Sequence, residues 1–280
     1  MNLPPLPTAE NLFDIRGRVF ILTGGAGLLG ARITPFLASC GAHIVVADLD
    51  KDKGRAVVDS ITSSTRCLAV QTDITNSDSV KNLVENAQRE FGRIDGLINN
   101  AAIDPKFDQN TQTDDYGHGA FENFPLDAWN QSLNVDLTGS FLCAQAVAPF
   151  FHAQNHGVIV NVSSIYGVVA PDQKLYERDT SSTRRFKPVT YSVTKGAILG
   201  FTRYLATYWG DKNIRVNALT PGGIFNDHDD EFTQRYNARV PLGRMANRDE
   251  MLGALLFLLS DASSYMTGAN LVVDGGWTAW

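Results

Sequence analysis

Tyr191 and Lys195, in the run Tyr191-Ser192-Val193-Thr194-Lys195, are four residues apart at the start of a long amphipathic stretch. That spacing puts both side chains on one helical face. A phenol with a pKa of about 10 is a poor acid or base at neutral pH, but an ammonium beside it stabilises the phenolate and lowers that value. Such a pair can exchange a proton with an alcohol or a carbonyl. A tyrosine and a lysine at this spacing also begin many ordinary helices, so the rest of the chain decides the reading.

The elements that must position the pair are legible in the apolar patterning. Short, β-branched runs at Val19 to Leu22, His43 to Ala47, Cys67 to Gln71, Gly96 to Ile98, Val158 to Val162, Arg215 to Leu219 and Leu271 to Val273 read as strands buried on both faces. Amphipathic segments lie between them: Gly30 to Cys40, Lys51 to Ser63, Ser77 to Phe91, Leu126 to His152, Tyr191 to Trp209 and Arg248 to Ser260. The alternation predicts an α/β fold, a Rossmann-like, doubly wound parallel sheet of about seven strands with helices on both faces. One domain is expected over residues 12–280, preceded by a loose, proline-rich arm at 1–11.

The first strand leads into Thr23-Gly24-Gly25-Ala26-Gly27-Leu28-Leu29-Gly30 and then a helix. A glycine-rich loop in that position lets backbone N–H groups and the helix N-terminus approach a pyrophosphate. The second strand ends at Asp48, about twenty residues beyond the loop, where a carboxylate accepts from the ribose hydroxyls of an adenosine and repels a 2′-phosphate. NAD is therefore expected over NADP. Asp48 could also be a simple loop carboxylate or a helix cap.

Composition narrows the field. The chain has 280 residues, 44% hydrophobic and 19% charged, enough for one sizeable core. A net charge of −6 and a pI near 5.3 argue against nucleic acid or an anionic membrane as the main partner. Cys40, Cys67 and Cys143 are odd in number and widely spaced, which suits free thiols better than disulfides or a metal site. No metal is expected. The opening residues lack a secretory pattern and Met251 to Leu259 is too short to span a bilayer, so a cytoplasmic location is expected.

Taken in order, the motifs resemble those of the short-chain dehydrogenase/reductase family from about Leu12 to Trp277. They are the glycine loop, Asp73 in TDIT, Asn99-Asn100-Ala101-Ala102, Ser163-Ser164, YSVTK, Pro221-Gly222-Gly223-Ile224 and Val273-Asp274-Gly275-Gly276. The resemblance implies that Ser164 orients a substrate oxygen, Tyr191 is the general acid/base, and Lys195 binds the nicotinamide ribose and lowers the tyrosine pKa. It implies cofactor contacts at Thr23, Gly24, Gly27, Leu28, Leu29 and Gly30, at Asp48 and Leu49, and at Asp73 and Ile74 beside the adenine. Further contacts are implied at Asn99, Ala101 and Ala102, at Tyr191 and Lys195, and at Pro221, Gly222 and Ile224 near the carboxamide. The reaction implied is hydride transfer between nicotinamide C4 and a carbinol carbon, with Tyr191 moving the proton on oxygen.

Several positions depart from the family pattern. The loop reads TGxxGxxG, as in the family's longer branch, whereas everything downstream follows the shorter one. Asp136 occupies the position of the family's usual asparagine and is the fourth candidate catalytic residue, as acceptor in a water relay through Lys195; the alternative is that it only satisfies backbone groups at a helix irregularity. Asn226 stands where a threonine is common. Two segments, near 103–125 and 171–188, exceed the family's minimum and should open at the catalytic mouth. The second carries Lys174, Arg178, Arg184, Arg185 and Lys187 with Tyr176, against Asp172, Glu177 and Asp179. This basic cluster suits a phosphate or carboxylate, or is a solvated loop.

The second insertion, PGGIF and the DGGWTAW ending resemble a subgroup linked to bacterial surface-sugar pathways, including nonulosonate synthesis. That implies a small-molecule carbohydrate or sugar-phosphate substrate, recognised in part through Asp104 to His118. Alternatives are a polyol, gluconate-type or 3-oxoacyl-thioester reductase of the same family, or a dinucleotide-binding subunit without turnover. Phe141, Ala144, Phe201 and Tyr204 put apolar groups on more than one helical face, and the resemblance implies a homodimer or homotetramer. Trp277 and Trp280 should pack on a neighbouring subunit or beside the pocket.

Overall fold

The computed structural model describes residues 6–104, 120–176 and 185–280. Its centre is a seven-stranded, all-parallel sheet in the order β3-β2-β1-β4-β5-β6-β7. The strands are β1 (Val19–Thr23), β2 (His43–Asp48), β3 (Cys67–Gln71), β4 (Gly96–Asn99), β5 (Gly157–Val162), β6 (Ile214–Pro221) and β7 (Asn270–Val273). A short α1 (Ala9–Leu12) spans the expected boundary between the N-terminal arm and the domain. The larger helices are α2 (Gly30–Ser39), α3 (Lys51–Asp59), α4 (Ser77–Phe91), α5 (Leu126–Leu133), α6 (Ser140–Gln154), α7 (Val189–Trp209), α8 (Asp230–Asn237) and α9 (Leu252–Leu259).

Strand periodicity sorts the core into two layers. Val19 and Ile21 of β1 face α4, α6 and α7 through Leu83, Val147, Phe151 and Trp209. Phe20 and Leu22 face α2 and α9 through Ile33, Leu37, Leu255 and Leu258. Both faces of the sheet are thus dry, which accounts for the uninterrupted apolar strands. The strand order reverses between β1 and β4, and the crevice at the carboxyl ends of those strands is where this topology receives ligands.

Two features differ from the sequence expectation. The helix read as continuous from Leu126 to His152 is interrupted by a π-helical turn, Asn134–Gly139. Within it the buried Asp136 accepts from Ile103 N at 2.8 Å and from the Thr194 hydroxyl at 2.8 Å, which ties the turn to α7. The helix α8 was not expected, because only Phe232 and Tyr236 give it an apolar stripe. Its signal was the cap: Asp229 accepts from Phe232 N, acids occupy the first turn, and Arg235 lies in the last.

The four apolar residues read on more than one face of the two long helices divide between inner and outer sides. Ala144 is buried in the core and Phe201 packs partly against it, whereas Phe141 is exposed and Tyr204 is 63% exposed. Trp277 is buried, stacked on Tyr236 with ring centroids 4.4 Å apart, and Trp280 is 81% exposed. Among the described residues no helix is long and apolar enough to cross a membrane.

Candidate active site

The glycine loop is fixed from both sides. Thr23 Oγ1 accepts from Asn100 N and Ala101 N, each at 3.1 Å, while the Asn100 amide donates to Thr23 O at 3.0 Å and Gly24 O at 3.1 Å. On the other flank, Asp48 Oδ2 accepts from Ala26 N at 2.8 Å and Oδ1 from Asp50 N at 3.0 Å. Gly24 has φ +62°, and a Cβ there would fall 2.8 Å from Ala101 Cα; a Cβ on Gly30 would fall 2.3 Å from Gly24 O. Only glycine permits this approach of backbone to backbone. Asn100 was missing from the candidate contacts, although the doubled asparagine after β4 was its signal.

The first turn of α2 has no side-chain cap, since Leu29 occupies that position. Gly24, Gly27, Leu28 and Leu29 line part of a cavity of about 830 Å³. Ala101 and Ala102 after β4, Ser164 after β5, Tyr191 and Lys195 of α7, and Pro221, Gly222 and Ile224 at and after the end of β6 line the rest. A dinucleotide fits this donor set: uncapped amides for a pyrophosphate together with a Ser-Tyr-Lys group. Thr23, Gly30, Asp48, Leu49, Asp73, Ile74 and Asn99 stand outside the lining. Asp73 accepts from the backbone and hydroxyl of Thr75, and Ile74 is buried in the core. Asn99 donates to Asn161 Oδ1 at 2.8 Å inside the protein.

β5 delivers Ser163 and Ser164 to the first turns of α7. The Ser163 hydroxyl donates to Lys195 O at 2.8 Å, and the Lys195 ammonium donates to Val162 O at 3.0 Å. Ser164 Oγ accepts from Tyr166 N at 3.2 Å and faces the Tyr191 phenol, where it favours the phenolate. Burial pushes the phenol well above its ordinary value, with the carboxylates of Asp104 and Asp136 adding to the rise and Ser164 opposing it. Any lowering by Lys195, whose ammonium lies 5.9 Å from the ring centroid, is outweighed by that burial. Burial also lowers Lys195, against the pull of Asp136 and Asp104, and raises Asp136, against Lys195 and its two hydrogen bonds. Desolvation dominates because the whole cluster is packed between β5, α7 and the π-turn.

The outer wall is aromatic. Tyr166 meets Tyr191 edge to face at 6.4 Å, and Tyr176 donates from its hydroxyl to that of Tyr166 at 3.1 Å. Phe232 of α8 stacks on His228 at 5.0 Å. Polar groups are interleaved: Asn226, which accepts from Arg248 at 2.8 Å, and Asp104, Lys187 and Arg185. Both long segments therefore reach the cavity, through Asp104 and through Leu175, Tyr176, Arg185 and Lys187. The remaining residues of the two segments, 105–119 with most of the Asp104 to His118 loop, and 177–184 with Arg178, Arg184, Glu177 and Asp179, lie outside the described residues.

A family model described as Enoyl-(Acyl carrier protein) reductase matches residues 26–278. The chain is 34% identical over 269 residues to trans-4-hydroxycyclohexanecarboxylate dehydrogenase of Sinomonas cyclohexanicum, spanning 94% of this chain and 93% of that relative. The chain belongs to the short-chain dehydrogenase/reductase family. Among solved structures, a short-chain dehydrogenase from Leptospira borgpetersenii with bound NAD+ superposes with a TM-score of 0.78 at 30% identity, covering 99% of this chain and 98% of that one. A gluconate 5-dehydrogenase from Burkholderia cenocepacia, in complex with NADP and tartrate, superposes with a TM-score of 0.81 at 28% identity, covering 98% and 100%. As a member of this family the protein is an NAD(P)-dependent oxidoreductase acting on alcohols and ketones.

Proposed function

We propose that the protein interconverts a secondary alcohol and a ketone with NAD, using Tyr191 as general acid/base, Ser164 to orient the substrate oxygen and Lys195 to bind the nicotinamide ribose. The observation that carries this reading is the meeting of those three side chains, drawn from the turn after β5 and from α7, in the wall of one cavity. The nicotinamide, when bound, supplies or accepts the hydride. In the oxidative direction the Tyr191 oxygen takes the alcohol proton while Ser164 donates to the same oxygen; in reduction the proton returns. Lys195, desolvated beside Val162 O, places its positive charge where negative charge develops. The role assigned to Asp136 is to hold the π-turn on α7 and to balance the Lys195 charge, since both its oxygens already accept from Ile103 N and Thr194.

The Leu28 and Leu29 amides, at the turn into α2, would hold the pyrophosphate, and Asp48, at the end of β2, the adenosine ribose. A 2′-phosphate brought to that carboxylate meets like charge, which supports NAD over NADP. Thr23, Gly30, Leu49, Asp73, Ile74 and Asn99 would shape the adenine half, and Ala101, Ala102, Pro221, Gly222 and Ile224 the nicotinamide half.

The aromatic wall with interleaved polar groups suits a ring or a polyhydroxylated chain, whose C–H faces pack on Tyr166 and Phe232 while its hydroxyls meet Ser164, Asn226 and His228. A sugar or sugar phosphate is the first class to try, followed by alicyclic hydroxy acids of the kind the Sinomonas relative is named for. Exposed Phe141, Tyr204 and Tyr208 on α6 and α7 support self-association as a homodimer or homotetramer. The test is NADH formation from a panel of sugars, polyols and 4-hydroxycyclohexanecarboxylate. Turnover of at least one member, abolished in Tyr191→Phe, is the expected result; cofactor binding without turnover across the panel contradicts the proposal.

A further inference from the structure

Two cations flank the Tyr191 ring, and the nearer one is outside the YSVTK motif. Lys187 Nζ lies 3.9 Å from the ring centroid, whereas Lys195 Nζ lies 5.9 Å away. The position of Lys187 is built rather than incidental. Its backbone is clamped to the Gln173 side chain, with Lys187 N donating to Oε1 at 2.8 Å and Gln173 Nε2 donating to Lys187 O at 3.3 Å. Its ammonium is ion-paired to Asp104, and its side chain is only 10% exposed. One long segment therefore supplies the cation and the other the carboxylate that holds it over the ring.

We infer that Lys187 is a positioning residue that, held by Asp104, sets the proton affinity of Tyr191; this rests on the reading of Tyr191 as the acid/base. A cation over the face of a neutral phenol is attracted only by the ring quadrupole. Once the phenol ionises, negative charge spreads into the ring and the attraction becomes one between full charges, so Lys187 favours the phenolate. Low exposure limits screening of that attraction by salt. The other groups facing Tyr191 divide by sign. Asp104 and Asp136 oppose ionisation, the Tyr166 and Tyr176 hydroxyls crowd it with further acidic groups, and Ser164 and the more distant Lys195 favour it. With two carboxylates against it, a buried phenol needs a second cation to work as a base.

The experiment is the pH profile of kcat/KM for NAD-dependent oxidation of the most active alcohol in the panel, in the unmodified enzyme, Lys187→Met and Lys187→Arg, with NADH affinity read by fluorescence in each. Lys187→Met should move the rising limb about one pH unit upward, a roughly tenfold loss of rate at a fixed pH below it. Lys187→Arg should restore the limb, and NADH affinity should stay within about twofold in both. An unmoved limb in Lys187→Met overturns the inference, and a raised KM beside that unmoved limb reassigns Lys187 as a ligand for an anionic group on the substrate. Retained activity in Tyr191→Phe counts instead against the underlying acid/base reading, so the two failures are separable.

Discussion

The Tyr236 hydroxyl of α8 accepts a hydrogen bond from Gly223 N at 2.6 Å, joining an unexpected helix to the 221–224 turn that lines the cavity. Behind it, Tyr236 stacks on Trp277 near the chain's end. The C-terminal residues thus brace the cofactor wall from outside. Tyr236→Phe keeps the stack but strands the Gly223 amide, and an unmade hydrogen bond of this kind costs about 1–3 kcal/mol. The expected outcome is weaker NADH binding by up to about two orders of magnitude with a smaller change in Tm. Unchanged NADH affinity would detach the turn from cofactor binding.

Trp277→Ala should act more globally. Replacing a large buried aromatic with alanine costs about 3–5 kcal/mol. Chemical denaturation should show a loss of that order, with NADH affinity falling alongside. A variant as stable as the parent would mean that Trp277 only rests on Tyr236.

Asp48 offers a test of cofactor choice. Asp48→Ser removes the carboxylate that accepts from Ala26 N while leaving a hydroxyl in its place. The ratio of kcat/KM values for NAD and NADP should fall by at least about tenfold, mostly through improved use of NADP. A parent enzyme that already favours NADP would reverse the assignment.

His228 predicts a pH effect on stability. Burial lowers its pKa below the ordinary value, with Lys187 adding to that shift, and its Nδ1 accepts from Asn226 N at 3.2 Å, a bond that protonation at that nitrogen abolishes. A histidine whose folded pKa is depressed binds its proton more readily when unfolded. Its contribution is therefore present above the unfolded value of about 6.5 and is lost as pH falls through the folded value. Tm should decline on acidification from about pH 7 to pH 5 more steeply in the parent than in His228→Gln. Parallel declines would remove His228 from the acid response.

The sheet and the Tyr191–Lys195 pair were legible because their signals are local. Doubly buried strands are apolar without interruption, the glycine loop lies between a strand and a helix, and the tyrosine and lysine are one helical turn apart. The π-turn was legible only as one of two readings of Asp136, a helix irregularity, since the partners that tie it down, Ile103 N and Thr194, are far away in the chain. Distance in the chain also hid the clamp over Tyr191. Lys187 read as one charge in a basic run, and nothing in its neighbours announces Gln173 beneath it or Asp104 across from it. The phenol's shift shows a further limit. Adjacent charge is visible in a sequence, whereas the burial that outweighs it is a property of the folded packing.

The central claim concerns proton transfer by Tyr191, and one comparison tests it most directly: single-turnover NADH formation in the parent and in Tyr191→Phe, with NADH affinity measured on the same samples. The account predicts a loss of roughly 10²–10⁴-fold in the chemical step with cofactor affinity within about twofold. A phenylalanine variant that turns over at the parental rate would contradict it.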